Sequence, residues 1–560
     1  MKIQEKIKRW IKETLNLEGD FVLAHPKDIK NGDFSFFFAT PKLGAKAGVP
    51  GEAAKILSEN KIMEVEEIKV VGNFINFYLS KEFFVKSVED ILDKGEKVGE
   101  NDLFKNQKII VEHTQPNPFK EFHIGHLMNN AIGESITRII KINGAETKAV
   151  GYHGDVGLHV AKSIWGKMQK PELSWGGAYA YGAKNFDENK DEIIEINKKI
   201  YEKSDEEINK LYDEGKKTSL EYFEYIYKKL DSNFEEHFYE SETGEMGKKI
   251  VLENVGKVFE NGEGGAIIFK GENFEPKTHT RVFINSEGIA TYEAKEVGLA
   301  KLKKEKINYD KSITVTGNEQ DSFFDVTEVV IGEVFLKLKG KLKHLSHGML
   351  RLPTGKMSSR TGDVITAESL IDQVKKKVFE KIAGRDFSEE DPSIDSGQVK
   401  NEIAEIVAIG AIKYSILRQA IGGDIIFDFD KSISFEGDSG PYLQYACVRA
   451  NSVLEKAREV SRLNLDMSKM PFDTWEITEL ERHLYKFEEI VERAGVEYSP
   501  HLIVTYLTEL ASLFNSFYAG NKIIDQDDPT SPYKIALTAA VAHILKSGLE
   551  LLAIKVPERM

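Results

Sequence analysis

The stretch from Lys108 to Tyr152, KIIVEHTQPNPFKEFHIGHLMNNAIGESITRIIKINGAETKAVGY, decides the reading of the fold. Lys108–Glu112 is a short β-branched run of the kind that forms a buried strand. From about Gly125 to Asn143 the residues Leu127, Ile132, Ile136, Ile139 and Ile140 recur at spacings that place them on one helix face, and Gly144 stands where a helix C-cap belongs. A second strand, Lys148–Tyr152, follows at once. Strand, helix, strand at this spacing predicts a βαβ unit with its ligand site at the carboxyl end of the first strand.

Outward from that unit the chain reads as several domains, since its 560 residues exceed what one core supports. Residues 1 to about 95 predict a small α+β domain: a charged amphipathic helix, a strand at Phe34–Phe38, a helix at Gly51–Asn60 and one strand at Val70–Leu79. Asp93–Gly99 has the polarity and glycine content of a linker. Residues 105–345 carry the α/β pattern. Within them the segment 165–275 predicts a charged helical insertion, with 17 acidic against 10 basic residues between 191 and 250, read as solvated and protruding from the nucleotide-binding fold, so that its charge says little about the active site. A loop and connecting region spans 346–430, and 431–560 has the helical periodicity of an all-α bundle.

Composition narrows the function classes. The formal charge of −15 argues against bulk attraction to nucleic acid, and 41% hydrophobic residues exclude a disordered chain. One cysteine, Cys447, rules out an intramolecular disulfide or a cysteine-cluster metal site and reads as a small buried apolar side chain. The N-terminus lacks the apolar region of a signal peptide, and no run reaches the 18 apolar residues of a membrane span, so a cytoplasmic protein with no membrane partner is expected.

Neither common phosphate-loop signature follows the first strand. Instead, His123 and His126 bracket Gly125 at a predicted helix start, where unpaired N–H groups and imidazoles can meet the oxygens of a triphosphate and a bare glycine lets a flat adenine approach. This pair alone fits several adenylyl or cytidylyl transferases. Further on, the loop Leu352–Arg360 holds Lys356, Met357 and Ser358, and its lysine is a compact cation suited to a departing pyrophosphate.

The two signatures, in this order and about 230 residues apart, resemble the paired HIGH and KMSKS motifs of class I aminoacyl-tRNA synthetases. The detail resembles the arginyl-tRNA synthetase family along the whole chain: Gly72–Phe77, Glu112–His126, Gly154–Gly157, Gly355–Arg360, Ser439–Ala446 and Pro557–Met560. The resemblance implies a Rossmann-like parallel-sheet catalytic domain with an insertion, a small α+β N-terminal domain that contacts tRNA, and an all-α C-terminal anticodon-binding bundle. It implies an ATP-dependent ligase that forms arginyl-adenylate and passes arginine to the 3′ end of tRNA(Arg) for translation. ATP would meet His123, Gly125, His126, Lys356, Met357 and Ser358, with Mg²⁺ arriving on ATP; no zinc is expected, and a monomer is implied.

By the same resemblance Glu112, Asn117, Tyr292, Glu296 and Gln320 contact arginine, whose planar guanidinium needs carboxylate and amide acceptors. Glu296 stands where most of the family has aspartate. Ser359 replaces the second KMSKS lysine, so Lys120, just before the first histidine, is expected to supply that cation, with Arg360 as its rival. Phe74 and Asn76 are implied to meet the outer corner of tRNA, and Tyr442, Tyr445 and Arg449 the anticodon loop.

Overall fold

The computed structural model describes residues 2–38, 48–351, 366–383, 397–459 and 475–560. They form two compact units: Met1–Val98 with Arg449–Phe487 and Ser512–Ile544, and Gly99–Val448 with Glu488–Ala511 and Leu545–Met560.

In the first unit, α1 (Ile3–Leu15) turns Ile7, Trp10, Ile11 and Leu15 to one side, the 3- and 4-residue spacing that lets one face bury while Glu and Lys cover the other. It packs on an antiparallel sheet of β1 (Leu23–Ala24), β2 (Phe34–Phe37), β3 (Val65–Val71) and β4 (Phe74–Leu79), in the order β1-β2-β4-β3, with α2 (Pro50–Glu59) between β2 and β3 in the chain. The run predicted as one strand from Val70 to Leu79 spans the end of β3, a turn and all of β4. Gly72, at φ +60°, adopts the left-handed conformation that turns the chain between β3 and β4. The expected linker at 93–99 is also ordered. Helix α3 (Lys81–Lys94) runs into a 3₁₀ turn at Gly95–Lys97, and Val98 behind it is 1% exposed, so burial anchors what polarity alone marked as loose. Buried Asp33 accepts hydrogen bonds from the Leu79 N–H and from Arg482, tying the 475–487 segment to the sheet.

The second unit is built on a five-stranded parallel sheet ordered β12-β11-β5-β6-β7. In chain order these elements are β5 (Lys108–Glu112), α4 (Ile124–Ile142), β6 (Glu146–His153), α5 (Leu158–Gln169), α6 (Trp175–Lys184), α7 (Lys190–Glu202), α8 (Glu206–Lys229), β7 (Glu236–Tyr239) and α9 (Glu240–Glu253). A small antiparallel sheet, β8 (Glu260–Asn261), β9 (Ile267–Phe269) and β10 (Arg281–Ile284), precedes α10 (Tyr292–Ile307), β11 (Lys311–Gly317), α11 (Asp321–Val334) and β12 (Leu342–His347). Ile109, Ile110 and Val111 of β5 are buried, as a central parallel strand covered on both faces requires. The connection from β5 leads to β6 on one side, while β11 lies on its other side. Such a switch point opens a crevice at the carboxyl ends of β5 and β11, where parallel sheets bind ligands.

The expectation for the 165–275 insertion needs correction. Ile193, Ile196, Ile200 and Ile208 pack with Phe119, Trp165 and Trp175 in one core cluster, and β7 completes the central sheet. Much of the acidic surplus lies on exposed helix faces, but Glu240 is buried. Beyond β12 the described residues are mainly helical, with long helices at Gly440–Glu459, Pro500–Gly520 and Ser531–Leu551. Cys447 is buried, and burial pushes its thiol up to about 12, so it behaves as an apolar filler. Among the described residues no helix is long and apolar enough to cross a membrane.

Candidate active site

The chain leaves β5 through a loop in which Thr114, Gln115 and Phe119 all hold positive φ (73°, 45° and 68°), a cost that non-glycine residues bear only where surrounding contacts over-determine the shape. Those contacts are present. His153 at the end of β6 donates from Nδ1 to the Pro116 carbonyl (2.7 Å), Gly154 donates its N–H to Asn117 Oδ1 (3.1 Å), and the Phe119 N–H donates to Ser219 Oγ of α8 (2.9 Å). Asp155, fully buried, accepts from Lys216 (2.7 Å), Tyr212 (2.9 Å) and both the N–H and hydroxyl of Ser241. Burial opposes its charge, but those bonds outweigh burial and hold its carboxyl below the usual range.

At the start of α4 the two histidines cap the helix reciprocally. His123 Nδ1 accepts from the N–H groups of Gly125 (3.1 Å) and His126 (3.4 Å), and His126 Nδ1 accepts from the His123 N–H (3.2 Å). The rings stack with centroids 3.6 Å apart. Burial, then the Lys120 ammonium, lowers His123 to about 4; burial, then His123, holds His126 well below its ordinary value. Both imidazoles are therefore neutral near pH 7. With each Nδ1 an acceptor, the ring proton resides on Nε2, giving two uncharged donors at the positive end of a helix. Gly125 is required for this cap because a side chain there would meet the His123 ring at 2.9 Å. That is a local reason for the glycine, separate from adenine access.

Lys120 is half-buried, its ammonium 4.9 Å from the centroid of the Tyr179 ring, and its charge reaches His123, His126 and His159. Thr366, the first described residue after 352–365, forms an antiparallel bridge with His123, and the Ala367 N–H donates to the Phe122 carbonyl (2.9 Å). The chain returning from the second signature thus lands beside the first. Lys356, Met357 and Ser358, with Ser359 and Arg360, lie outside the described residues.

The residues expected to meet arginine fall into different environments. Glu112, at the end of β5, is 1% exposed, accepts from Gln115, and is ion-paired with Lys303, a lysine of α10 that is itself 3% exposed. Glu296 on the same helix is 9% exposed and makes no hydrogen bond or ion pair among the described residues. Burial, partly relieved by Lys303 and reinforced by Glu112 and Glu240, raises its carboxyl to about 7. Tyr292 begins α10 and is 65% exposed, one turn from Glu296. Asn117 is half-buried, its Oδ1 already accepting from Gly154; Gln320 is exposed on the 3₁₀ turn after β11, beside Glu319, whose charge is felt at His123.

Sequence reasoning missed a second layer. Glu240, the first residue of α9, pairs with Lys295 at 2.6 Å, both buried, and Lys295 lies 5.0 Å from the Tyr292 ring centroid and beside Tyr201 of α7. His159 donates from Nε2 to the Gly154 carbonyl at 2.8 Å. Only His159, close to the Gly-Asp-Val-Gly run, carries a sequence signal; Glu240 and Tyr201 sit within the charged segment read as a solvated insertion. The outlying candidates divide. Phe74 is 48% exposed, edge-on to the exposed Phe37 ring. Asn76 is 2% exposed and accepts from Ser35 Oγ at 2.6 Å, so it presents no surface to a base, a correction that follows from cross-strand pairing with β2. Tyr442, Tyr445 and Arg449 are half-buried while Leu443, Ala446 and Cys447 are buried; Arg449 donates to Asn515 Oδ1 at 2.6 Å. Among the described residues no cluster of His, Cys, Asp or Glu has the arrangement of a metal site.

A parallel sheet with its crevice at a switch point, entered by a helix capped with two histidines, is the catalytic fold of class I aminoacyl-tRNA synthetases. The chain's fold resembles the solved arginyl-tRNA synthetases of Thermus thermophilus (TM-score 0.81, 22% identity, all of both chains) and Plasmodium falciparum (TM-score 0.77, 21% identity, 100% of this chain and 99% of that one). Residues 87–429 match the model described as "tRNA synthetases class I (R), catalytic domain", and residues 443–560 match the DALR anticodon binding domain. The arginine–tRNA ligase of Borrelia hermsii is 31% identical over 601 aligned positions, covering all of both chains. The chain belongs to the arginyl-tRNA synthetase family; it is an aminoacyl-tRNA ligase that works through an arginyl-adenylate.

Proposed function

We propose that the crevice at the ends of β5 and β11 activates arginine in two adjoining compartments. In one, the Nε2–H groups of His123 and His126 donate to ATP phosphate oxygens while Lys120 supplies positive charge, with Lys356, Met357 and Ser358 acting on the same phosphates. Mg²⁺ enters with ATP as part of that substrate. In the other, Glu296 takes the guanidinium, Tyr292 closes over it, and Asn117 and Gln320 hold the α-amino end so that the arginine carboxylate faces the α-phosphate. In-line attack then needs positioning and charge stabilisation rather than covalent help from the protein.

Transfer of arginine to the 3′ end of tRNA(Arg) completes the reaction. Phe74, with its neighbour Phe37, offers stacking surface on the N-terminal sheet, and Tyr442, Tyr445 and Arg449 do so on the helical segment; the enzyme works as a monomer in the cytoplasm.

The observation that supports this reading best is the pair of neutral, stacked imidazoles, each with Nδ1 engaged by the helix and Nε2–H left to donate. The test is ATP–pyrophosphate exchange with each amino acid, with and without tRNA. Exchange with arginine alone, and only when tRNA is present, is the expected result; exchange independent of tRNA, or with another amino acid, overturns the reading.

A further inference from the structure

Three charged groups are buried together where the substrate's cation is expected to enter. Glu112 comes from the end of β5, while Glu296 and Lys303 come from one face of α10, two turns apart. Lys303 is ion-paired with Glu112, and the Glu296 carboxylate has no such partner among the described residues. Glu296 and Lys303 both line a cavity whose other walls include Tyr309, Thr314 and Glu328. Two carboxylates and one ammonium leave one uncompensated negative charge. A buried charge without a partner is costly, and a guanidinium is the partner that would complete it.

We infer that Lys303 is a positioning residue that sets the charge of the arginine pocket: it neutralises Glu112 and leaves Glu296 as the single carboxylate available to the substrate. This assigns Glu112 a different task from direct contact with the guanidinium. It also explains how a pocket with two glutamates fits a substrate side chain of one positive charge. Without Lys303, two adjacent carboxylates would compete for a proton, and the protonated form binds a guanidinium poorly. The inference rests on the reading that the guanidinium enters beside Glu296.

The direction of the pH effect follows from the groups facing Glu296. Lys303 on its own helix favours the charged form. Glu112 of β5 and Glu240 of α9 oppose it; Tyr152 of β6 and Tyr309 stay protonated; Glu328 of α11 and Lys343 of β12 lie across the cavity. Arg281 of β10 is engaged with Glu293 at 2.9 Å. Glu296, raised to about 7, must lose its proton for arginine to bind, so affinity should improve as pH rises through that value. Removing Lys303 takes away the group that, among the described residues, lowers the Glu296 pKa, and the improvement moves to higher pH. Removing Glu112 as well cancels the change.

The experiment measures the arginine KM in tRNA aminoacylation by the full chain between pH 6 and 8.5, for wild type and for Lys303→Met, Lys303→Arg and Lys303→Met with Glu112→Gln. Lys303→Met is expected to raise the arginine KM about tenfold or more at pH 7 and shift its pH midpoint up by about one unit, with the ATP KM within about twofold of wild type. Lys303→Arg and the charge-balanced double variant are expected to keep the wild-type midpoint. A Lys303→Met midpoint that does not move, or a double variant no better than the single, overturns the inference. Should Lys303→Met fail to fold, the double variant decides alone: a wild-type midpoint supports charge balance, and a lost arginine dependence refutes it. Glu296→Gln separates the two levels of argument. If it leaves the arginine KM unchanged the pocket reading itself fails; if it raises that KM while the Lys303 variants stay flat, only the role of Lys303 fails.

Discussion

The two halves of the crevice solve opposite electrostatic problems by different means. In the proposed reading the phosphate-facing turn would meet a polyanion with neutral donors, since burial lowers the pKa of His123 and His126 and leaves Lys120 as a nearby described cation. In the proposed arginine pocket a cation would be met by formal charges inside the protein: Lys303 pairs with buried Glu112, and buried Glu296 is left for the substrate. The difference follows from what each substrate brings. Uncharged Nε2–H groups strengthen their bonds only as negative charge develops on the phosphates, which favours the transition state over bound ATP. A side chain that must be distinguished from nineteen others needs a standing charge match, because unpaired buried charges penalise the wrong ligand.

The largest effect should come from breaking the charged pair. Glu112→Gln strands Lys303 as a buried cation and is expected to lower stability by about 3–5 kcal/mol, read by denaturant unfolding. On the phosphate side, His126→Ala removes a donor and is expected to lower kcat of arginine activation by about 10²–10³-fold with little change in the arginine KM. Glu296→Gln is expected to raise the arginine KM by roughly 10–100-fold, the range of a charge-assisted bond worth about 1.5–3 kcal/mol. Lys120→Ala should cut pyrophosphate exchange by a smaller factor, about tenfold, and let His123 take up a proton at higher pH; exchange near the wild-type rate would remove Lys120 from the phosphate site.

The smallest effect concerns stability against pH. His123, His153 and His159 are each held near 4 mainly by burial, so below about pH 6.5 the unfolded chain binds protons that the folded site refuses. Their contribution is present above that pH and is lost progressively as pH falls toward 4. Thermal unfolding at stepped pH should show that decline, reduced in His159→Gln.

The sequence made the catalytic unit legible because its signals are local. The β-branched run at Lys108, the stripe from Leu127 to Ile140 and the two histidines at the helix start each depend on neighbours within one or two turns. The charge balance was not legible. In the sequence α10 is a lysine-rich helix, and nothing nearby marks Lys295 and Lys303 as the inward pair; their partners Glu240 and Glu112 arrive from α9 and β5, which only the folded sheet brings close. The charged segment between 191 and 250 misled for the same reason. Glu240 and Lys216 look like surface charge until the fold seats one against Lys295 and the other against Asp155. Asn76 shows the converse, since alternation along a strand gives its face but not the Ser35 side chain that covers it.

The most direct test of the two-compartment account is a crossed comparison of Glu296→Gln and His126→Ala, with arginine KM, ATP KM and kcat measured for each. The account predicts that Glu296→Gln raises the arginine KM and leaves the ATP KM within about twofold, while His126→Ala lowers kcat and leaves the arginine KM nearly unchanged. Equal changes in both KM values for Glu296→Gln, or an arginine KM as strongly affected by His126→Ala, would contradict it.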